Sequence, residues 1–156
     1  MPLTFDDRGL LPPGIHDATF AEIEAKFARF QKSDHRIKLF EKLKAYLTEL
    51  AKTGWQCDVI IDGSFVMPPV DEPNDIDIIL VRPADWDMFQ ELRPFEYNVV
   101  SRKFTRREYQ LDVLPAIAGS EAERQYRDFF QGIRIDRCEE FGLPAGSKKG
   151  LVRLVT

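Results

Sequence analysis

The sequence feature that most constrains the fold is an apolar run headed by two aspartates. Residues 75–81 read DIDIILV, so Asp75 and Asp77 flank Ile76, and four more apolar residues follow. A strand this apolar should be buried, and a buried carboxylate is costly unless something compensates its charge. Because side chains two residues apart share one face of a strand, Asp75 and Asp77 should project together while Ile76 and Ile78 enter the core. We therefore expect the two aspartates to face a cleft on the side of a sheet away from the core.

The rest of the chain predicts a single α+β domain of mixed α/β type, in which helices flank a small mixed sheet. A length of 156 residues fits one domain, and 44% apolar residues suffice for a core. The segments TFAE and SEAE match capping boxes, which predicts helices that begin after Thr19 and Ser120. Strands are expected over residues 57–61, 75–81, 109–114 and 151–155. After an extended lead-in over residues 1–18, helices are expected from Thr19 through Phe20, Ile23, Phe27 and Phe30, over residues 34–52, over 84–92, and from Ser120 through Phe130.

The composition argues against several classes of protein. Residues 1–14 lack the apolar stretch of a signal peptide, and no apolar run approaches the roughly 20 residues that a membrane helix needs. Cys57 and Cys138 match no zinc or redox spacing, and a net charge of −4 provides no global basic field for nucleic acid. We expect a soluble, cytoplasmic protein with two free thiols.

A third aspartate extends the carboxylate pair. Asp112 stands between Leu111 and Val113 in another apolar segment, and it would join Asp75 and Asp77 if the two strands are neighbours. Divalent cations bind carboxylate oxygens, so three convergent aspartates could hold one or two Mg²⁺ ions. Alternatively, these aspartates are turn and strand-edge residues that face solvent. An EF-hand loop is disfavoured, because apolar residues follow Asp77 where its glycine and later ligands belong.

A glycine and a serine follow the preceding strand. Gly63 and Ser64 stand directly after it, twelve residues before Asp75 across a loop that contains Pro68 and Pro69. Glycine lets the backbone approach a phosphate closely, and exposed N–H groups with a hydroxyl bind anions. An ordinary strand-ending turn would look the same in isolation. Next to a carboxylate cluster, the pair predicts a site for a Mg²⁺-bound nucleoside triphosphate.

The combination resembles the nucleotidyltransferase superfamily of the DNA polymerase β type. Its signature is a Gly-Ser after a strand, an Asp-x-Asp at the head of the next strand, and an acidic residue in a later one. Here these read DGSF, NDIDIIL and QLDVL, within residues 55–115. The segments LPPGIHDATF and KKGLVRLV are also similar to a group of uncharacterised bacterial proteins thought to carry this fold. Residues 1–156 would then form one minimal domain of that superfamily.

The resemblance implies an activity and a set of site residues. Asp75, Asp77 and Asp112 would be the catalytic, metal-binding residues for two Mg²⁺ ions, with Asp112 also activating the acceptor hydroxyl. Gly63 and Ser64 would bind the β- and γ-phosphates of a nucleoside triphosphate. The hydroxyl of a protein or RNA acceptor would attack the α-phosphorus in line, so that AMP is transferred from ATP and pyrophosphate is released.

Two other functions stay open. Some minimal members of that superfamily pair with a toxin as antitoxins, in certain cases by transferring AMP to it. This chain could therefore be a non-catalytic binding module, an antitoxin or a partner subunit. It could also be a metal-dependent phosphohydrolase or nuclease, although such an enzyme has no need of Gly63 and Ser64.

Several other residues allow two interpretations each. Arg102, Lys103, Arg106 and Arg107 could bind a triphosphate or a nucleic-acid strand, or form a solvated basic face. Phe65 and Tyr109 could stack on a base, although a core position is favoured for both. Lys148 and Lys149 are interpreted as loop charges.

Overall fold

A computed structural model describes residues 3–28, 34–87 and 89–155 and contains a five-stranded mixed sheet. Its spatial order is β1-β5-β2-β3-β4. β1 is parallel to β5 and β3 is parallel to β4, whereas β2 is antiparallel to both β5 and β3. The predicted α+β class is therefore confirmed. The strands are β1 (Ile15–Thr19), β2 (Asp58–Asp62), β3 (Ile76–Arg82), β4 (Leu111–Ile117) and β5 (Leu151–Val155).

Helices flank this sheet. Thr19 caps the first one reciprocally: its hydroxyl accepts from Glu22 N–H at 3.2 Å, and its own N–H donates to the Glu22 carboxylate at 3.3 Å. Ser120 likewise accepts from Glu123 N–H at 3.2 Å. Both predicted helix starts are thus confirmed. The helices are α1 (Phe20–Ile23), which continues as a π-helical turn (Glu24–Ala28), α2 (His35–Ala51), α3 (Pro94–Val100), α4 (Arg102–Tyr109), α5 (Glu121–Gln131) and α6 (Ile135–Phe141).

The helix predicted over residues 84–92 is wrong. The described residues there form turns, in which Trp86 N–H donates to Pro83 O and Gln90 N–H donates to Asp87 O. The Asp87 carboxylate accepts from Phe89 N–H at 2.9 Å, a local bond that competes with helix formation. Strand β1 and helices α4 and α6 were not predicted, and Phe30 lies outside the described residues.

The two faces of the sheet carry different clusters. Ile76 and Ile78 point into the main core, where α2 contributes Leu39 and Leu43. The opposite face carries Ile60, Ile79, Val81, Ala116 and Leu151, and α5 covers them with Tyr126 and Phe130. The predicted split between isoleucines and aspartates is confirmed, because Asp77 alternates with Ile76 and Ile78 and therefore lies on the α5 face. No helix in the described part of the chain is long and apolar enough to span a membrane.

Candidate functional site

Three aspartates form a row across neighbouring strands. Asp77 is the register partner of Asp62 on β2 and of Asp112 on β4. Directly opposed residues share one face of a sheet, so the three carboxylates lie side by side on the α5 face. Asp75 immediately precedes β3. We call these three aspartates together with Asp75 the carboxylate row.

A cleft of about 390 Å³ opens at this row. Asp75 and Asp77 line it together with the Gly63-Ser64 pair that the sequence singled out. Asp112 lies beside Asp77 but not in the cleft wall. The opposite wall is the junction of α5 with α6. The lining residues are Gly63, Ser64, Met67, Asn74, Asp75, Asp77, Phe129, Phe130, Gly132, Ile133, Arg134, Arg137 and Lys149.

The carboxylate row places several acidic groups close together in a largely buried environment. Burial, followed by the charges of Asp75 and Asp112, raises the pKa of Asp77 to about 7. Burial also raises the pKa of Asp75, and Asp112 adds to that effect. The pKa of Asp62 is raised well above its ordinary value by burial and then by Asp77. A bound cation would oppose each of these shifts.

Asp62 is one of the site residues that the sequence interpretation missed. Its side chain is fully buried, and neither carboxylate oxygen has a hydrogen-bond partner among the described residues. Buried polar groups are nearly always hydrogen-bonded, so an exception points to an unsatisfied ligand or a functional role. Its position directly before Gly63, at the end of a strand, was the available signal.

Gly63 is required by close packing. Its φ of +81° is a conformation that favours glycine, and a Cβ there would stand 2.2 Å from Asp77 Oδ2. A single 3₁₀ turn (Ser64–Val66) follows, with Val66 N–H donating to Gly63 O and Met67 N–H donating to Ser64 O. The turn ends before Pro68 and Pro69, as their lack of an N–H predicts. The loop therefore holds the Asp77 carboxylate against its backbone.

Arg36 on α2 binds the backbone of this loop. Its fully buried guanidinium donates hydrogen bonds at 2.6–3.3 Å to backbone carbonyls. Burial lowers its pKa to about 10, and Asp71 opposes that shift. Four of the accepting residues lie in the loop after Gly63, so the loop is anchored to α2 rather than free. The acceptors are Phe27, Ser64, Phe65, Met67 and Val70.

The basic cluster pairs with the third aspartate. Arg102 on α4 donates to both oxygens of Asp112, from Nε at 2.6 Å and from Nη2 at 3.0 Å. Arg106, one turn later, donates to Asp112 Oδ2 at 3.2 Å. Two of the four basic side chains thus engage the carboxylate row, which neither sequence interpretation anticipated. The signal was their spacing of four residues just before β4.

Lys149 lies in a loop, as predicted, but it is a buried charge and not a surface one. Its side chain is 3% exposed, lines the cleft and donates from Nζ to Phe130 O at 2.8 Å. Burial lowers the pKa of this amine, while Asp62 and Asp77 oppose the shift. An ammonium group thus stands close to the carboxylate row, and Arg134 and Arg137 add positive charge to the same cleft.

The two candidate stacking residues are not in the cleft. Phe65 is fully buried in the main core, and Tyr109 packs against that core. The core interpretation is therefore confirmed for both. Phe129, which the sequence interpretation did not assign to the site, lines the cleft together with Phe130 and is 74% exposed.

The comparisons with known proteins give a family and no activity. A family model described as a Family of unknown function (DUF6932) matches residues 3–155. No curated protein and no solved structure matches the chain. Within the described ranges, no group of three or more His, Cys, Asp or Glu side chains is arranged to hold a metal ion. At the carboxylate row, both oxygens of Asp112 already accept hydrogen bonds from guanidinium groups.

Proposed function

The chain belongs to this Family of unknown function (DUF6932), and we propose its activity from the cleft: a Mg²⁺-dependent nucleotidyltransferase. It would transfer a nucleoside monophosphate, AMP from ATP, to a hydroxyl of a protein or nucleic-acid acceptor and release pyrophosphate. The observation that carries this proposal is the carboxylate row beside a cleft that Gly63, Ser64 and Lys149 also line.

The chemistry of the carboxylates at the cleft, rather than their present arrangement, favours a divalent cation. Asp75 and Asp77 both line the cleft, their pKa values are raised, and Asp62 beside them has no hydrogen-bond partner in the described structure. Carboxylate oxygens are the ligands that Mg²⁺ prefers. Asp75 and Asp77 would hold the ion, and Asp112 would join them once released by Arg102 and Arg106. The bound metal would stabilise the charge on the entering and leaving oxygens.

Other residues at the cleft would bind the phosphates, offset their charge and accept the proton. The Gly63-Ser64 backbone, fixed by Arg36, would receive the β- and γ-phosphates at the edge of the cleft. Lys149 and Arg134 would offset the phosphate charge from the opposite wall. Asp112, at the border of the row, would accept the proton of the acceptor hydroxyl.

The test is transfer of α-labelled nucleotide. Purified protein is incubated with Mg²⁺, each α-³²P-labelled nucleoside triphosphate and an extract of host RNA and protein. We expect label on an acceptor and release of pyrophosphate, and Asp77→Ala should abolish both. Asp58→Asn, an exposed aspartate at the other end of β2, should leave them unchanged. Release of inorganic phosphate would point instead to a hydrolase, and absence of both transfer and nucleotide binding would refute the proposal.

A second candidate is a binding module such as an antitoxin or partner subunit. The pairing of Asp112 with Arg102 and Arg106 favours it, because a carboxylate held by two guanidinium groups is poorly placed to act as a base. Affinity capture from the native host should then recover the same partner with wild-type protein and with the Asp75→Asn/Asp77→Asn variant. Loss of the partner in that variant, or no partner at all, would count against this candidate.

A further inference from the structure

The side of the cleft formed by α5 and α6 carries Arg134 and Arg137 and, beside them, an unusually exposed aromatic ring. Phe129 is 74% exposed, although Phe130 beside it packs against the cluster on the α5 face of the sheet. The two rings lie edge to face, with centroids 5.1 Å apart and an interplanar angle of 87°. The Phe129 ring is thus supported from behind by Phe130 while it remains open towards the cleft. A large apolar side chain displayed in a concave site usually marks a contact surface.

The cleft therefore has two chemically different parts. Asp77 belongs to β3, and Gly63, Ser64 and Asp75 belong to the loop between β2 and β3; together they provide charge and backbone donors. Phe129 and Ile133 belong to the α5–α6 junction and provide apolar surface. A ligand that satisfies both parts needs an anionic, metal-binding end and a flat apolar end. The volume of about 390 Å³ lies within the range typical of small-molecule sites.

We propose that the exposed ring of Phe129 stacks on the nucleobase of the bound nucleotide, which makes the α5–α6 junction the base subsite. This inference rests on the proposed function, since it assumes that the phosphates lie at the Gly63-Ser64 end. Stacking on a phenyl ring tolerates every base, because every base has a π-face. A purine presents the larger ring surface, so purine nucleotides bind more tightly than pyrimidine nucleotides.

The experiment distinguishes binding of the base from binding of the phosphates. Calorimetry in the presence of Mg²⁺ measures two probes: α,β-methylene-ATP, which carries a base, and inorganic tripolyphosphate, which does not. Phe129→Ala is expected to weaken binding of α,β-methylene-ATP by about 5- to 100-fold and to leave tripolyphosphate binding unchanged. Phe129→Tyr should retain wild-type affinity for both. The matched control is Phe89→Ala, because Phe89 is 95% exposed and is not a cleft residue.

Each other outcome overturns the inference in a recognisable way. If wild type binds α,β-methylene-ATP and Phe129→Ala binds it equally well, the base subsite is refuted while the proposed function stands. If Phe129→Ala weakens both probes alike, Phe129 acts on the cleft as a whole and not on the base. If wild type binds neither probe, the proposed function fails, and this inference fails with it. A preference of wild type for α,β-methylene-CTP over α,β-methylene-ATP would also contradict stacking.

Discussion

Arg36 and Asp62 are both fully buried ionisable side chains near one loop, yet their surroundings are opposite. The guanidinium of Arg36 donates hydrogen bonds to five backbone carbonyls, whereas the carboxylate of Asp62 has no hydrogen-bond partner in the described structure. A saturated buried charge can stabilise the structure around it, but an unsatisfied one costs free energy. We infer that Arg36 holds the loop in place and that Asp62 belongs to the chemistry of the cleft.

The largest expected effect is that of removing Arg36. Arg36→Leu leaves several buried carbonyls without donors, so the free energy of unfolding should fall by about 3–5 kcal/mol. Arg36→Lys should fall between this variant and wild type, since an ammonium group has three donors and the guanidinium has five. Urea denaturation measures both.

The control for Arg36 is an exposed residue of the same helix. Lys44→Leu should change the free energy of unfolding by no more than about 0.5 kcal/mol. A loss below 1 kcal/mol in Arg36→Leu would mean that the loop after Gly63 does not depend on this anchor.

Gly63→Ala should cause the second-largest loss of stability. The φ of +81° alone should cost roughly 1–3 kcal/mol, and the new Cβ would also collide with Asp77 Oδ2. Because Asp77→Ala removes that oxygen, the double variant should lose less stability than the sum of the two single variants. Additive losses in a double-mutant cycle would show that Gly63 and Asp77 do not contact each other in solution.

Asp62→Asn should raise the free energy of unfolding, whereas Arg36→Leu and Gly63→Ala should lower it. It replaces a buried carboxylate that has no hydrogen-bond partner in the described structure and leaves Asp77 as a counter-charge for Lys149, so the ligand-free protein should become about 1 kcal/mol more stable. The same variant should lose most of the thermal stabilisation that Mg²⁺ with α,β-methylene-ATP gives to wild type. A ligand-free protein destabilised by more than 1 kcal/mol would assign Asp62 a structural role and abolish its contrast with Arg36.

The smallest expected effect concerns the pairing of Asp112. Arg102 and Arg106 are each more than half exposed, so Arg102→Ala/Arg106→Ala should alter the free energy of unfolding by less than about 1 kcal/mol. Because Asp112 is then released, Mg²⁺ should bind up to about fivefold more tightly by calorimetry. Weaker Mg²⁺ binding would indicate that the two arginines organise the carboxylate row rather than compete with the metal.

The sequence predicted which strand and loop residues meet at the site better than it predicted which charged side chains are buried there. Strand alternation places Asp77 opposite Ile76 and Ile78, and the order of the motifs places Gly63 near it. Burial of Arg36, Asp62 and Lys149 depends on contacts between segments far apart in the chain, and charged residues are rarely buried. A single sequence therefore favours a surface position for each of the three.

The central claim is that the carboxylate row and the Gly63-Ser64 loop together bind a metal-bound nucleotide. A crystal grown with Mn²⁺ and α,β-methylene-ATP tests it by anomalous scattering. We predict a Mn²⁺ peak about 2 Å from carboxylate oxygens of Asp75 and Asp77, with the β- and γ-phosphates at the Gly63-Ser64 backbone. A cleft without metal or nucleotide at saturating concentrations, with Asp112 still paired to Arg102, would contradict the account.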